Sequence, residues 1–426
     1  MRVRRFEWEG AGPTAGAVRR WAFGAWPRAD VTEIEQAFLS SDDRDATLLS
    51  LTARFDAADP PLRSLRVDDS ELGEALSKVD GGLRESMELA ATNIRSVAEA
   101  QITAETSVKL PQGQMVTTHE VPLAAAGIYA PGGRAAYPSS VLMCAIPAKV
   151  AGVERTVLAT PPKKDGKVNP TVLAAAALCG VDEVYAMGGA QAIFAMAFGT
   201  QTIERVDAVA GPGNSWVREA KSKVSSVVAI DSLAGPSELM VVLDGDADPM
   251  WAALDLCAQA EHGEESSLVV ASVEEGVLDR VAEETERTAA SRSGVANAQL
   301  ALVQAPSLSE AIDFANVFSP EHLELLVEDP RPLAEATMTA GCILTGNHSA
   351  TAFGDYVAGS NHVLPTSGAG RFSGPLGPHV FRRKISTVEV SAEAAAKLAP
   401  HVDRIARAEG FPVHGESAMI RVEKGS

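Results

Sequence analysis

The sequence has few of the features that would place a protein in a membrane or on nucleic acid. It contains no run of roughly 18 or more consecutive apolar residues, the length that a membrane-spanning helix requires. Its start, MRVRRFEWEG, runs into acidic residues, so we expect neither a secretory signal nor an anchor, and a cytoplasmic location. Basic residues are also scarce: 37 Lys+Arg against 56 Asp+Glu give a net charge of −19, which argues against nucleic acid as a partner.

Cysteine is scarce as well. The four cysteines form no CxxC pair, and each lies in an apolar or small-residue setting such as VLMCAIP, which predicts reduced core residues. HExxH and the other compact zinc patterns are absent, so any metal must take its ligands from distant segments. With 46% hydrophobic and 22% charged residues, a chain of 426 residues is long enough for two globular domains with smaller appendages.

The hydrophobic pattern predicts helices first and then alternating strands and helices. Apolar residues recur at helical spacing from residue 31 to about 106, which indicates a helical layer. Short apolar runs, each followed by a turn and then a helix-forming segment, come next at 127–133, 156–162, 183–189, 206–214 and 227–237, and again at 238–244, 267–273, 300–306, 323–329 and 342–346. This order predicts two α/β domains with parallel sheets, a cleft between them, and ligands at the turns after the strands.

Three Gly-rich turns, PGG, MGGAQ and GPGN, each follow an apolar run and precede a predicted helix. None fits GxGxxG, because Trp216 stands where GPGN would need its third glycine, so the standard dinucleotide fingerprint is absent. Glycine here either makes a tight turn and nothing more, or lets backbone N–H groups approach an anionic ligand. Three such turns on one sheet edge favour a nucleotide-type ligand.

The polar side chains that could carry chemistry lie in separate segments. DADPMWAALDLCAQAEHGEESS predicts a helix over residues 249–262, on which Gln259 and His262 share one face. These two are either capping and surface residues or two of the contacts that a metal needs. Glu321 and His322 directly precede a predicted strand, where they form either an exposed polar pair or two proton acceptors that work near neutral pH.

Two further pairs lie in less regular parts of the chain. Asp355 and His362 belong to a long, polar, Gly-punctuated loop, which is more typical of ligand binding than of a simple connection. Glu409 and His414 flank the end of the last predicted helix, at Gly410. Taken singly, the members of this last pair are ordinary tail residues.

Together, these segments resemble those of the histidinol dehydrogenase family. The family's order and approximate spacings are kept by GIYAPGGRAAYPSSVLM, GGAQAI, GPGN, IDSLAGPSEL, AQAEHG, SPEHLEL, GSNHVLPT and EGFPVHGES. The resemblance extends from about residue 30 to the C-terminus. It implies two Rossmann-like α/β domains with parallel sheets, plus small N-terminal helical and C-terminal helical tail pieces. It also implies a zinc-dependent homodimer that uses NAD to oxidise L-histidinol to L-histidine through an aldehyde.

The resemblance further implies a role for individual residues. The zinc ligands would be Gln259, His262, Asp355 and His414, and the tail residues Glu409 and His414 would complete the other protomer's site. Ser237, His322, Glu409 and the zinc ligands match substrate-binding positions, while Tyr129, Gln191 and Asn214 match contacts to the nicotinamide cofactor. In this chemistry His322 accepts the proton of the alcohol, and Glu321 deprotonates the water that adds to the aldehyde.

We expect four parts in the chain. Residues 1–25 form an N-terminal extension, and residues 26–125 with 239–375 form a first α/β domain that holds the helical layer, the zinc ligands and the acid–base pair. Residues 126–238 form a second α/β domain with the NAD-binding turns. Residues 376–426 form a tail for dimerisation.

Two departures from the family pattern leave alternatives open. The chain has Gly377-Pro378-His379 where the family has another sequence, and QMVTTHEVPL before the first Gly turn is unusual. A paralogue that oxidises another small amino or hydroxy alcohol is therefore one alternative, although Glu409 favours histidinol. A zinc-dependent hydrolase, in which Glu321 activates a water, is another. A nonenzymatic nucleotide-binding protein would leave the polar side chains without a common purpose.

Overall fold

The computed structural model describes residues 1–23, 29–56, 58, 62–132, 135–292, 294–295 and 298–423. The chain divides into two units, the first made of Met1–Gln101 and Leu123–Phe381 and the second of Ile102–Pro122 and Arg382–Ser426. No described helix is long and apolar enough to cross a membrane.

Strands and helices alternate through most of the chain. The strands are β1 (Arg2–Phe6), β2 (Thr106–Lys109), β3 (Met115–Pro122), β4 (Ala125–Tyr129), β5 (Arg155–Thr160), β6 (Glu183–Ala186), β7 (Ala208–Ala210), β8 (Ala229–Ile230), β9 (Glu238–Leu243), β10 (Ser267–Ser272), β11 (Gln299–Gln304), β12 (His322–Leu326), β13 (Cys342–Thr345) and β14 (Arg382–Glu389). The α-helices are α1 (Ala11–Phe23), α2 (Thr32–Leu39), α3 (Arg44–Phe55), α4 (Asp69–Ala75), α5 (Gly81–Ala100), α6 (Pro138–Val150), α7 (Pro170–Cys179), α8 (Gly189–Phe198), α9 (Ser215–Val224), α10 (Pro249–Ala260), α11 (Glu275–Ala290), α12 (Leu308–Phe318), α13 (Arg331–Ala336), α14 (Thr351–Tyr356), α15 (Ala392–Ala408) and α16 (Pro412–Glu423). Short 3₁₀ helices lie at Leu76–Lys78, Ala369–Arg371 and Pro378–Phe381.

The larger sheet of the first unit has six parallel strands in the order β1-β11-β10-β9-β12-β13. Its inner strands are continuous apolar runs, such as ELMVVL in β9, because helices cover both faces of the sheet. Helices α10 and α11 pack on one face, and α1 and α12 pack on the other. The second predicted series of strands is confirmed by this sheet.

The smaller sheet has five parallel strands in the order β6-β5-β4-β7-β8. Helices α5, α6 and α7 bury their apolar residues on one face, and α2, α3, α8 and α9 bury theirs on the other. The two parallel sheets with their helical layers confirm the predicted α/β class.

The helical layer packs differently from the predicted grouping. We grouped residues 26–125 with 239–375, but Ile34, Phe38 and Leu48 share a core with β4, β5 and β6, and the buried stripe of α5 packs against the same sheet. The reason is physical: helical periodicity determines which face of a helix is apolar, and it carries no information on which sheet that face will cover. The other domain boundaries stay a prediction.

The N-terminal residues, which we predicted as an extension, belong to the core of the six-stranded sheet. Strand β1 pairs in parallel with β11 from Arg2↔Gln299 to Phe6↔Val303, and Phe6 is buried in the core beneath α1 and α12. Helix α1 adds Ala15 and Val18 to that core. Residues before 24 therefore complete the edge of the six-stranded sheet.

The second unit combines a three-stranded antiparallel sheet with two helices. The strand order is β14-β3-β2, and β14 pairs with β3 from Arg382↔Pro122 to Glu389↔Met115. The predicted closing helix is confirmed as α15. The sheet was not predicted, because MVTTHEVP alternates mostly polar residues and is held by pairing with a segment more than 250 positions away.

The cysteines follow the prediction with one difference. Cys144, Cys179 and Cys257 are free and buried, whereas Cys342 is free and only partly buried. Cys342 belongs to β13, which is an edge strand of the six-stranded sheet and is therefore less completely covered.

Replacing Leu48 by Ala tests how the helical layer packs. Leu48 of α3 is 0% exposed in the core of the five-stranded sheet, so Leu48→Ala should cost about 2–5 kcal/mol of unfolding free energy. Leu89→Ala on α5 is the matched control, because Leu89 is 54% exposed and its loss should stay within about 0.5 kcal/mol. Denaturant unfolding midpoints measure both changes, and equal losses would contradict the packing.

Candidate active site

Most of the predicted acid–base and metal-ligating residues come together at one edge of the six-stranded sheet. His322 begins β12, Glu321 and Ser237 directly precede β12 and β9, and Gln259 lies near the end of α10. Because α10 returns antiparallel to β9, the end of the helix meets the beginnings of the strands. This site therefore lies at the amino ends of the strands, which differs from our expectation that ligands belong at the turns after them.

Asp355 links the two histidines of the site. It lies in α14, and its carboxylate oxygens are 3.5 Å from Nε2 of His322 and 3.9 Å from Nε2 of His262. The backbone carbonyl of Asp355 lies 2.8 Å from Nδ1 of His362. Asp355 was predicted in a loop, but it lies in helix α14, where it supplies a carboxylate between two imidazoles; His362, in the segment after the helix, contacts its backbone.

Glu321 is held by a reciprocal pair of hydrogen bonds with Glu238, the first residue of β9. The backbone N–H of Glu238 donates to Oε2 of Glu321 at 2.8 Å, and the backbone N–H of Glu321 donates to Oε2 of Glu238 at 3.1 Å. Nε2 of Gln259 donates to the same Oε2 of Glu321 at 3.5 Å. Both carboxylates are buried, so these N–H groups provide the polar contacts that water would otherwise supply.

Burial and neighbouring charges shift the pKa values of this cluster. Burial raises the pKa of Glu321, and it outweighs the attraction of His322. Burial opposes the charged form of His322, but Asp355 and Glu321 outweigh it and raise the pKa of the imidazole. The contact with Asp355 raises the pKa of His262. Burial opposes the Asp355 carboxylate, yet the two histidines lower its pKa well below the ordinary range. The pKa values of Glu321 and the two histidines are thus raised while that of Asp355 is lowered, a pattern typical of functional sites.

The residues of the first unit fit a zinc ion chemically. Oε1 of Gln259 is buried and has no hydrogen-bond partner in the described part of the chain, as is true of Nδ1 of His322. An imidazole nitrogen and a carboxylate oxygen are ordinary zinc ligands, and the free amide oxygen offers a third donor beside them. Among the described residues, no three His, Cys, Asp or Glu side chains form a metal-holding group. The predicted site would not form such a group, because one of its ligands, Gln259, is an amide. Only His262 and Asp355 of its first-unit ligands are of these four residue types.

The other two residues predicted for this site lie in the second unit. Glu409 follows the end of α15, and His414 lies in the first turn of α16, with its ring 5.6 Å from that of Phe411. Both side chains are exposed. Their proposed roles therefore stay predictions.

The residues predicted to contact the cofactor lie at the carboxyl ends of strands in the five-stranded sheet or in the segments that follow these ends. The hydroxyl of Tyr129 accepts from the N–H of Gly189 at 3.1 Å, and Nε2 of Gln191 donates to Asp56 at 3.3 Å. Oδ1 of Asn214 caps α9 by accepting from the N–H groups of its first turn at 3.1 Å. All three polar ends thus make hydrogen bonds that shape the Gly-rich turns. Gly133 of the PGG turn lies outside the described residues.

A buried ion pair fixes the GPGN turn. Lys221 and Asp231 form a salt bridge whose side chains are each 2% exposed. Nζ of Lys221 also donates to the carbonyl of Gly211 at 2.6 Å, and the N–H of Gly211 donates to Asp231 at 2.8 Å. Gly211 has φ of +126°, and a Cβ there would lie 2.0 Å from the carbonyl oxygen of Tyr129. Only glycine fits this turn, and the ion pair holds it.

Sequence reasoning did not single out four residues that hold these two sites: Glu238, Asp56, Lys221 and Asp231. Glu238 and Asp231 both stand in the quoted motif IDSLAGPSEL, where the place of Glu238 before an apolar strand was a usable signal. The other three are charged residues in amphipathic or loop segments. Their burial results from contacts between distant elements, for which the local sequence carries no signal.

The comparisons with known proteins agree over nearly the whole chain. A family model described as histidinol dehydrogenase matches residues 28–422. A histidinol dehydrogenase of Nitrosospira multiformis is 44% identical over 388 residues, which are 89% of this chain and 88% of the relative. One of Pseudomonas putida is 43% identical over 392 residues, 90% of this chain and 89% of the relative. A crystal structure of histidinol dehydrogenase from Elizabethkingia anophelis has a TM-score of 0.92 at 32% identity and covers 100% of this chain and 98% of its own.

The Asp56 carboxyl beside the MGGAQ turn gives a pH-dependent prediction. Burial raises its pKa to about 6, although the N–H of Gly188 and the amide of Gln191 donate to it. The folded chain therefore binds this proton more tightly than the unfolded chain does, so the carboxyl costs stability as the pH rises from about 4 to about 7. Asp56→Asn removes the charge and keeps an acceptor oxygen.

We expect the unfolding free energy of Asp56→Asn minus that of the original chain to increase by on the order of 2 kcal/mol from pH 4 to pH 7. Denaturant unfolding of both proteins at pH 4, 5.5 and 7 measures this difference. Asp43→Asn, an exposed helix cap, controls for the loss of an acidic group as such. A difference that stays constant with pH would contradict the raised pKa.

Proposed function

Since the chain belongs to the histidinol dehydrogenase family, NAD-dependent oxidoreductases of histidine biosynthesis, we propose that it oxidises L-histidinol to L-histidine by way of L-histidinal. The observation that carries the proposal is the cluster at one sheet edge in which Glu321, His322, Asp355 and Gln259 are buried and the more exposed His262 lies beside Asp355. Each oxidation removes a hydride from carbon and a proton from oxygen, and a molecule of water enters between them. The reaction therefore needs two proton-accepting steps and two molecules of NAD as hydride acceptors.

His322 is proposed as the base for the alcohol proton. Its Nε2 is 3.5 Å from Asp355, whose carboxylate fixes the ring and stabilises the imidazolium that forms. Nδ1 is buried and has no hydrogen-bond partner among the described residues, so it offers a site for a proton. An imidazole is the side chain best suited to this exchange near neutral pH.

Glu321 is proposed as the base for the second oxidation, in which water adds to the aldehyde. Its hydrogen bonds from Glu238 and Gln259 both use Oε2, which fixes the direction of the carboxylate. Burial raises its pKa, which makes the carboxylate a stronger base than an exposed one. The adjacent residues thus divide the work: the imidazole serves the alcohol and the carboxylate serves the water.

Gln259, His262 and Asp355, with His414 of the partner subunit, are proposed to hold zinc. A bound zinc ion would supply a Lewis acid that orients the imidazole and amino nitrogens of the substrate, as the family resemblance implies. The unpartnered Oε1 of Gln259 supports the assignment, since a buried amide oxygen is costly unless something binds it.

The second unit supports a homodimer. Its helices and last strand leave several large apolar side chains exposed: Val388, Ile405, Phe411, Val413 and Ile420. Apolar surface of this kind is commonly covered by a partner. A second copy of the chain is the proposed partner, and the cytoplasmic location stays a prediction.

The departures in sequence have a structural place that bears on the choice of substrate. Pro378 lies in the short helix Pro378–Phe381, whose Phe381 is buried in the core of the five-stranded sheet beside Leu376. QMVTTHEVPL contains the whole of β3. The Gly377-Pro378-His379 departure lies where the chain packs on the core of the five-stranded sheet. It therefore gives little support to a paralogue that oxidises another substrate.

Substitution of the two bases tests the division of labour. His322→Gln should slow the oxidation of histidinol by about 10²–10⁴-fold, and Glu321→Gln should slow mainly the oxidation of histidinal. NADH absorbance at 340 nm, with each substrate supplied separately, measures both steps. His348→Gln and Glu328→Gln, at exposed positions, are the matched controls. Equal losses on both substrates for Glu321→Gln would argue against the division, and no NADH from either substrate in the original chain would refute the function.

Removal of the metal is a separate test. Dialysis against a chelator should abolish NADH formation, and added Zn²⁺ should restore it, because the substrate groups lose their anchor. Asp355→Ala should bind less zinc than the original chain, measured by elemental analysis, while Asp329→Ala at an exposed position should not. Full zinc content in Asp355→Ala would exclude Asp355 as a ligand.

A further inference from the structure

Helix α1 reaches the proposed active site through a single charged side chain, Arg19. The helix lies before residue 28, where the match to the family model begins. Nη1 of Arg19 is nevertheless 3.5 Å from Oε1 of Glu238, a side chain that is 0% exposed. The N-terminal helix is thus in direct contact with the carboxylate that holds the backbone of Glu321.

Arg19 also binds the chain just before Glu321. Its guanidinium donates to the carbonyl oxygens of Phe318 and Ser319, the latter at 3.3 Å, and lies 4.3 Å from the ring centroid of Phe318. Ser319 ends α12 in the left-handed region at φ of +53°, an unusual conformation for a residue that is not glycine. The guanidinium therefore holds a strained turn whose next two residues are Pro320 and Glu321.

Glu238 joins the guanidinium to Glu321. Its Oε1 faces Arg19 and accepts from the N–H of Ser367 at 3.2 Å, and its Oε2 accepts from the N–H of Glu321 at 3.1 Å. A fully buried carboxylate is costly unless charge and hydrogen bonds compensate it, and Arg19 supplies that charge. Loss of Arg19 would leave the carboxylate buried without its cation and would free the turn before Glu321.

We infer that Arg19 and Glu238 are positioning residues for Glu321, so that helix α1 fixes the direction of the carboxylate proposed to act on water. The inference rests on the proposed function. The N-terminal segment then has two roles. Strand β1 completes a sheet edge, and Arg19 helps to position the base of the second oxidation. A displacement of a base by about 1 Å costs up to about 10²-fold in rate.

The kinetic test uses the full chain with zinc and compares histidinal oxidation in Arg19→Met and in the original protein. We expect kcat for histidinal to fall about 10- to 100-fold with little change in KM for NAD, because the cofactor turns lie on the other sheet. Arg20→Met, one position along α1 and exposed, is the matched control and should retain full activity. Arg19→Lys, which keeps the charge but not the planar donors, should recover part of the loss.

A double-substitution cycle distinguishes positioning from a general loss of structure. If Arg19 acts through Glu321, adding Arg19→Met to Glu321→Gln should change histidinal oxidation by less than about twofold. A merely structural role would lower the activity again by the full factor. Additive losses, or an unchanged rate in Arg19→Met, would overturn the inference.

Amide hydrogen exchange gives a readout that does not depend on activity. In Arg19→Met, the peptide that contains residues 318–322 should exchange faster than in the original chain, while strands β4 to β6 should be unchanged. Glu238→Gln, which keeps the shape of the side chain, gives the same test if Arg19→Met does not fold. Unchanged exchange of 318–322 would overturn the positioning role, even if the chain formed no NADH and the proposed function had failed.

Discussion

The reciprocal pairing of Glu238 with Glu321 is the interaction on which the geometry of the site depends. In the parallel register of β9 and β12, His322 lies opposite Leu239, so the two glutamates meet one step before the ladder begins. Each carboxylate accepts the backbone N–H of the other residue, at 2.8 and 3.1 Å. These two hydrogen bonds to side chains thereby extend the pairing of β9 and β12 by one residue beyond the backbone register. The direction of Glu321 and the start of β12, which carries His322, are set by the same two bonds.

This arrangement concentrates buried charge where a stable fold would avoid it. Burial raises the pKa of Glu238 to about 7, and it also raises the pKa of Glu321. Both carboxyls are shielded from water, so they depend on the few hydrogen-bond donors nearby. Arg19 and the backbone N–H groups satisfy Glu238, while His322 attracts Glu321. Buried groups of this kind contribute less to stability than apolar side chains of the same volume would. In the proposed mechanism their value is chemical, because a buried carboxylate is a stronger base than an exposed one and hydrogen bonds fix its direction.

The sequence predicted the parts of this molecule that depend on local pattern. Apolar runs such as ELMVVL predicted the buried strands, and the Asp248-Pro249 pair predicted the start of α10, whose Asp248 side chain caps the helix. The juxtaposition of Glu321 and His322 was visible because they are neighbours in the chain. Contacts between distant segments left no such trace: Arg19 lies 219 positions before Glu238, and the strand MVTTHEVP is defined by β14, which follows it by more than 250 positions. The motifs matched to a known family supplied what periodicity could not, namely which scattered side chains belong together.

The two sheet edges that carry the proposed site residues differ in the helix ends that they meet. The amino ends of β9 and β12 meet the C-terminal end of α10, where the negative end of the helix dipole favours a cation. Gln259 and His262 stand at that end, in agreement with a zinc ion there. The carboxyl ends of β6 and β7 meet the N-terminal ends of α8 and α9, where the positive end of the helix dipole favours an anion, although Tyr129 and Asn214 already accept from N–H groups there. The proposed zinc and dinucleotide sites would therefore each lie at the helix ends whose dipole favours the group that binds there.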